Sequence, residues 1–227
     1  MKLHDLRKQR PHIQGLRAMA VTAVLFFHFV PEYFPNGYLG VDIFFVISGY
    51  LIHIILSRAI ANNGLNTFTV LEFYYKRFAR IVPLSSLYIS SAIVAFTILA
   101  RSSIIERSKY SAIKAMSYST NLFAIFEKND YFQTVLLDED LFTHFWSLGV
   151  EIQFYGCVPA IFFVRQHISR KMVLFSLLAL LSFLGFIFSS PLTSFNSPFT
   201  RLWQFLAVST LFVNDIPFTP STESAKP

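Results

Sequence analysis

The sequence predicts an all-α fold, a polytopic transmembrane helix bundle, and two observations lead to this class. Hydrophobic residues make up 54% of the 227 residues and charged residues 14%, whereas soluble domains average about 45–50% and about 25%. Five apolar runs reach the length of about 20 residues that a helix needs to cross a bilayer core. The same composition excludes disordered and fibrous proteins, which are poor in apolar and aromatic residues.

The five predicted spans differ in the polar residues that they contain. The first contains Arg17 and His28, the second Asp42 and His53, and the fourth Glu151, while the third and fifth carry no charge. A sixth apolar run of twelve residues would measure only about 18 Å as a helix, so we expect a short helix rather than a crossing. The spans are predicted at residues 13–33, 38–57, 81–100, 145–164 and 172–190, with the sixth run at 202–213.

The remaining segments lie at the two termini and between the third and fourth spans. Residues 1–12 form a basic N-terminus, residues 13–213 a single transmembrane domain, and residues 214–227 a polar tail expected to be disordered. Residues 111–126 are apolar but too short to cross and interrupted by Lys114. They predict an amphipathic helix that lies on the outer surface or re-enters the membrane. A partly ordered loop is the alternative.

The distribution of Lys and Arg predicts the orientation of the chain. With the N-terminus in the cytoplasm, the inner segments carry eleven Lys and Arg residues and the outer connections carry six. Five of those six lie in one long loop, which counts less than short loops do. We therefore predict an integral, multi-pass membrane protein in a lipid bilayer, with a cytoplasmic N-terminus.

The net charge of +6 does not indicate a nucleic-acid partner. The basic residues flank apolar runs, and no nucleic-acid-binding motif accompanies them. Cys157 is the single cysteine and cannot form a disulfide within the chain. The six His residues show no spacing typical of a zinc site. We predict no metal and no bound cofactor.

Two ionisable residues of the first span point to a functional site. Arg17 and His28 are eleven residues apart, about three helical turns, so they share one face and lie about 16 Å apart along the axis. Lipid cannot solvate a polar stripe, which must therefore face a protein interior or cavity. The alternative for His28 is a hydrogen-bonded packing residue.

The fourth span begins with a second polar face. His144, Ser147, Glu151 and then Tyr155 follow one another at steps of three and four residues, which places them on one side of a helix. A buried carboxylate needs a proton, an arginine or a hydrogen-bonding group from another span. A polar clamp between helices is the alternative for Glu151.

The third and fourth candidates are an acid at the outer end of the second span and a basic pair beside the third. Asp42 could accept a hydrogen bond from His28 or His144, as the carboxylate partner of a general base does, or it could be a helix N-cap. Arg77 and Arg80, in the inner loop before the third span, would share a helical face and suit a phosphate-bearing donor. Ordinary positive-inside topology is the alternative.

These stretches together resemble the acyltransferase family 3 proteins, membrane enzymes that O-acylate carbohydrates, lipids and other surface molecules. The resemblance rests on five motifs in the same order along the chain. One of them contains the Arg-x-x-Arg pair Arg77 and Arg80, and another the sequence His-Phe-Trp-Ser-Leu-Gly-Val-Glu. The motifs occupy residues 14–21 together with His28, 37–52, 73–83, 144–155 and 200–203.

The resemblance implies roles for eleven residues. His28 would act as the general base that deprotonates an acceptor hydroxyl, with Asp42 and Glu151 as further catalytic residues. Cytoplasmic acyl-CoA would be the donor substrate, held at its phosphates by the arginine of the first span and the arginine pair of the inner loop. The donor-binding set is Arg17, Arg77 and Arg80, and the expected substrate-lining set is Ser48, His144, Trp146, Ser147 and Gln153.

Two departures from the family pattern stand beside this resemblance. The usual pair of adjacent glutamates reads Glu151-Ile152 here, and the family's domain continues with further helices, so residues 13–213 correspond to its N-terminal part. We predict a membrane O-acyltransferase that moves an acyl group such as acetyl from acyl-CoA to a hydroxyl of a carbohydrate, lipid or similar acceptor. A catalytically silent membrane partner and a proton-coupled transporter are the alternatives.

Overall fold

The computed structural model describes residues 11–99, 102–128 and 142–211, and the regular structure of these residues is helical. The predicted all-α class is therefore confirmed. The predicted N-terminal segment and the predicted tail lie almost entirely outside the described residues. The helices are α1 Pro11–Phe29, α2 Gly40–Asn63, α3 Thr67–Leu99, α4 Ser102–Met116, α5 Thr120–Glu127, α6 Phe145–His167, α7 Lys171–Phe188, α8 Pro191–Asn196 and α9 Pro198–Leu211.

Four of these helices are long and apolar enough to cross a membrane, and they are α2, α3, α6 and α7. The predicted count of five spans is not confirmed, because α1 is not among them. Its 19 residues include His12, Gln14, Arg17 and His28, whose polarity offsets the apolar residues of the helix. The predicted polar stripe of Arg17 and His28 thus contributes to the difference between α1 and an ordinary lipid-facing span.

Helix α3 corrects the predicted position of the basic pair. Arg77 and Arg80 were expected in a loop before a span at residues 81–100, but α3 begins at Thr67 and runs for 33 residues. The side chain of Asn66 accepts a hydrogen bond from the Thr69 amide at 2.8 Å and caps the helix there. A helix of this length measures about 50 Å and is therefore longer than a bilayer core of about 30 Å is thick. Arg77 and Arg80 are part of this helix and not of a loop.

The outer segment consists of two helices rather than one. Helix α4 ends at Met116, and a break through Tyr118, whose φ is 51°, leads into α5. The predicted helical character of residues 111–126 is confirmed, against the alternative of a partly ordered loop. Helix α5 packs against α6 and α8, so the segment is attached to the bundle.

Aromatic stacking holds the centre of the bundle together. The ring of Phe205 on α9 stacks on Phe154 of α6 at 4.1 Å and on Phe45 of α2 at 4.8 Å between centroids. Gly49 permits this close packing, because a Cβ there would lie 1.9 Å from the Phe205 carbonyl oxygen. Helix α9, predicted as a short sixth helix at 202–213, has 14 residues and packs between α2 and α7.

Candidate functional site

Glu151 receives two hydrogen bonds in the middle of the bundle. Ser48 of α2 donates to its Oε1 at 2.5 Å, and the hydroxyl of Tyr155, one turn further along α6, donates to the same oxygen. The partner that a half-buried carboxylate requires is therefore a hydroxyl from another span together with one from its own helix. This contact joins α2 to α6, as the alternative of a polar clamp proposed.

Arg17 of α1 and Arg77 and Arg80 of α3 carry three guanidinium groups that we call the arginine cluster. Arg17 interacts electrostatically with Arg80, Arg77 and Glu151. The guanidinium of Arg77 lies over the ring of Tyr155, with 5.4 Å between its central carbon and the ring centroid. The structure therefore brings together residues from α1, α3 and α6 that are far apart in the sequence.

Arg77 is the most buried member of the arginine cluster, with 9% of its surface exposed. Its contacts are with the rings of Phe73 and Tyr155, and within the described parts of the chain it has no hydrogen bond or ion pair. Arg17 and Arg80 likewise have no ion pair there. The arginine cluster thus carries three positive charges, and Glu151 is the carboxylate that interacts with Arg17. Such an excess of positive charge is suited to a ligand with more than one negative charge.

A second pair of polar residues lies at the opposite end of α1. The rings of His28 and His144 meet edge-on, with 4.6 Å between centroids and 79° between planes. His28 is half-buried and His144 is exposed. Because α1 packs chiefly against α2, side chains rather than backbone contacts connect it to the start of α6. The predicted face shared by Arg17 and His28 therefore lies beside α6. Arg17 interacts with Glu151, and His28 contacts His144 at the start of α6.

Asp42 does neither of the things expected of it. The N-cap position of α2 is Leu39 and has no side-chain cap, and the carboxylate of Asp42 pairs instead with Arg201 of α9 at 2.6 Å. Arg201 also donates to the carbonyl oxygen of Phe195 at 2.5 Å. The expected hydrogen bond to Asp42 from His28 or His144 is absent among the described residues, and the Asp42 carboxylate accepts from Arg201 instead.

The remaining predicted residues divide between the site and the packing around it. Ser147 donates to the His144 carbonyl oxygen at 3.3 Å and stays at the level of the histidine pair. Trp146 is 4% exposed and packs on Phe195 at 4.3 Å. Gln153 exchanges two hydrogen bonds with Asn121 of α5, at 2.9 and 3.0 Å. Residues two apart on a helix face opposite sides, so Gln153 points away from the arginine cluster.

Arg201 and Asn121 contribute to this region although the sequence pattern did not predict their contacts, and Tyr155 was predicted only in part. Arg201 was noted only as part of a motif, although a lone arginine among the apolar residues of α9 already indicates a buried partner. Asn121 is fully buried and also donates to the Asn196 carbonyl oxygen at 2.9 Å, so it joins α5 to both α6 and α8. The indication of Asn121 in the sequence was the group of Ser, Thr and Asn residues that follows Lys114. Tyr155 was identified only as an extension of the Glu151 face.

Outside the predicted spans, a charged contact closes α4 against α5. Lys114 pairs with Glu127 at 3.0 Å and lies over the Tyr110 ring at 4.5 Å. The Tyr110 hydroxyl donates to Glu127, and this hydrogen bond to the carboxylate raises the pKa of Tyr110. Lys114, which interrupted the apolar pattern of the sequence, is thus neutralised within the outer segment.

Among the described residues, no group of three or more His, Cys, Asp or Glu side chains is arranged to hold a metal ion. The site residues described above carry guanidinium, carboxylate, hydroxyl and imidazole groups. These groups can bind an anion at the arginine cluster and accept a proton at the histidine pair.

Comparisons with known proteins show the family of the chain. A family model described as an acyltransferase domain matches residues 10–218. The chain is 34% identical over 158 residues to O-acetyltransferase OatA of Staphylococcus aureus and 36% identical over 160 residues to peptidoglycan O-acetyltransferase OatA of Listeria monocytogenes. It is 35% identical over 161 residues to the putative peptidoglycan O-acetyltransferase YrhL of Bacillus subtilis.

These alignments cover 69%, 70% and 71% of this chain and 25% of each relative. The chain thus spans about a quarter of the length of the curated relatives that it matches. No solved structure shows a significant match.

Proposed function

The chain belongs to the acyltransferase family whose domain model covers residues 10–218, and from this premise we propose that it transfers an acetyl or similar acyl group to a carbohydrate hydroxyl. It is a multi-pass membrane protein with four apolar helices of spanning length. Two of the relatives are named as actual or putative peptidoglycan O-acetyltransferases. We propose a peptidoglycan sugar as the acceptor.

One observation carries this proposal, the line of polar side chains between α1 and α6. The arginine cluster lies at one level, Glu151 beside it, and the His28–His144 pair at the other end of the same α1 face. Arg17 and His28 are separated by about 16 Å along the helix. A donor bound by its phosphates at one level can therefore present its acyl group at another.

The arginine cluster favours acyl-CoA as the donor. Arg77 is nearly buried and has no anionic partner among the described residues, so its charge is available to a phosphate. Guanidinium groups bind phosphate through two parallel hydrogen bonds, and Arg17 and Arg80 add charge at the same place. The flexible pantetheine arm of CoA separates its phosphates from its thioester, as the separation of the two levels requires.

His28 is the proposed general base. The acceptor oxygen attacks the thioester carbonyl carbon while His28 takes the hydroxyl proton, which forms the C–O bond of the ester. The C–S bond then breaks, and the CoA thiolate leaves and receives its proton from the imidazolium. We propose that Glu151, held by Ser48 and Tyr155, positions Arg17 and Arg77 rather than exchanging protons. Under this proposal Asp42 supports the site through Arg201.

The proposed orientation follows from the same arrangement. The arginine cluster lies towards the N-terminal end of α1, and acyl-CoA is a cytoplasmic molecule. We therefore propose a cytoplasmic N-terminus, with the histidine pair towards the outer surface where peptidoglycan lies. The excess of Lys and Arg in the inner segments supports the same assignment.

The test is acyl transfer by the chain reconstituted in liposomes with labelled acetyl-CoA and glycan strands of peptidoglycan. We expect His28→Ala to lower the rate by about 10²–10⁴-fold, the usual contribution of a general base. His12→Ala, an exposed histidine on the same helix, is the matched control and is expected to retain the wild-type rate. Equal rates for His28→Ala and wild type would remove the assignment.

A chain that binds acetyl-CoA but transfers nothing would instead support the alternative of a silent membrane partner. In that case acetyl-CoA binding would still depend on Arg77. His28→Ala would have no effect on acyl transfer, because wild type would show none.

A further inference from the structure

Arg165 is a half-buried arginine in the last turn of α6, outside the proposed acyl-transfer site. The guanidinium of Arg165 lies between the rings of Phe162 and Phe175, at 5.2 and 5.7 Å from their centroids. Its Nη1 donates to Ser57 of α2 at 3.1 Å, while its Nε is buried and has no hydrogen-bond partner. Among the described residues no carboxylate pairs with it, so the positive charge is uncompensated.

His53 of α2 is buried beside Arg165. Its ring lies 5.6 Å from Phe162 and 5.7 Å from Phe175, the same two rings that enclose the guanidinium. Only 2% of His53 is exposed, and neither ring nitrogen has a hydrogen-bond partner. Buried polar groups are almost always paired. An imidazole without a hydrogen-bond partner beside a guanidinium whose Nε has none, both against Phe162 of α6 and Phe175 of α7, therefore indicates a binding site.

The position of Arg165 in the membrane indicates what kind of ligand can reach it. Helix α6 has 23 residues and measures about 35 Å, so its last turn lies at the surface of a bilayer core of about 30 Å. Arg165 is in that last turn, and Arg170 and Lys171 follow in the connection to α7. Arg58 is adjacent to Ser57 in the sequence. Lipid phosphates lie at this depth, and basic pockets between transmembrane helices bind anionic headgroups.

We propose that Arg165 binds the phosphate of an anionic phospholipid at the membrane surface where α6 ends and α7 begins. Nη1 is held by Ser57, and the phosphate accepts hydrogen bonds from the outward side of the guanidinium. The rings of Phe162 and Phe175 restrict the orientation of the Arg165 guanidinium. The site is independent of the proposed acyl transfer, because Arg165 faces α2 and α7 and lies ten residues, about 15 Å, from Tyr155 along α6.

Lipid retention by the purified full chain tests this proposal. The protein is reconstituted in an equal mixture of phosphatidylglycerol and phosphatidylcholine, extracted in mild detergent and analysed by native mass spectrometry. We expect wild type to retain phosphatidylglycerol over phosphatidylcholine by about fivefold or more, and Arg165→Gln to lose that preference. Arg170→Gln is the matched control, because Arg170 is exposed, and it is expected to stay within about twofold of wild type.

Three results would overturn the proposal. They are equal retention by Arg165→Gln and wild type, equal losses in Arg165→Gln and Arg170→Gln, and thermal protection by inorganic phosphate alone that matches protection by phosphatidylglycerol. Equal losses would mean attraction to a diffuse basic surface, and protection by phosphate would mean a soluble ligand. If Arg165→Gln does not fold, Arg165→Lys keeps the charge without the fork. It is then expected to retain less lipid than Arg170→Gln does, and equal retention would count against the site.

Discussion

Arg77 and Arg201 are buried to a similar extent, with 9% and 4% of their surfaces exposed, but their surroundings differ. Arg201 pairs with Asp42, donates to the Phe195 carbonyl oxygen and lies over the ring of Trp146 at 5.2 Å. Arg77 lies over two rings and has no acid or carbonyl partner in the described part of the chain. The donors of Arg201 are occupied by the fold, whereas those of Arg77 remain available.

This difference separates two uses of the same side chain in one bundle. An ion pair such as Arg201–Asp42 joins α9 to α2, and removing one member leaves a buried charge alone. A cation without a partner costs stability in the absence of a ligand, so its retention indicates binding. The comparison supports our proposal that Arg201 stabilises the bundle and Arg77 binds the donor, and substitutions of these two arginines test that division.

The largest expected effect is on the stability of the Arg201 region. Arg201→Met keeps most of the length of the side chain and leaves Asp42 unpaired, which should lower the free energy of unfolding by about 3–5 kcal/mol. Chemical unfolding in detergent measures this loss. The double variant Asp42→Asn with Arg201→Met is the control and should recover part of it, because no charge remains. A single variant as stable as wild type would show that the pair does not hold α9.

The next effect is on donor binding at Arg77. Arg77→Gln removes a charge-assisted contact with a phosphate, so we expect the KM for acetyl-CoA to rise about tenfold to a hundredfold with little change in stability. Lys76→Gln is the control, because Lys76 is exposed and already paired with Glu72 at 2.6 Å. Steady-state kinetics give both values. If Arg77→Gln were destabilised without a change in KM, Arg77 would stabilise the fold, as Arg201 does, and would not bind the donor.

The smallest effect concerns the contact between α5 and α6. A Cβ at Gly149 would lie 2.5 Å from the Asn121 Oδ1 and 2.8 Å from the Tyr118 carbonyl oxygen. Gly149→Ala should therefore destabilise the protein by about 1–2 kcal/mol, after the gain in helix propensity is subtracted. Gly156→Ala on the same helix is the control, since a Cβ there meets nothing within 4 Å, and it should be neutral or stabilising. Thermal unfolding compares the two.

The sequence predicted helices and polar faces well where one helix contains the pattern. The shared face of Arg17 and His28 and the face of Glu151 follow from a period of 3.6 residues, and α1 and α6 present them as expected. Contacts between helices were less predictable. Asp42 was expected near an imidazole, and Gln153 was expected beside a substrate. Their partners, Arg201 and Asn121, are 159 and 32 residues away in the sequence.

Composition and helical periodicity alone determined that this is a helical membrane protein, and the resemblance determined its family. Both depend on local properties, because apolar length decides which segments enter a bilayer and a helix repeats its faces at fixed intervals. Only the tertiary structure decided which charges are compensated. Whether a buried guanidinium meets a carboxylate depends on how helices distant in the chain pack, as Arg201 beside Asp42 and Arg77 without an acid show.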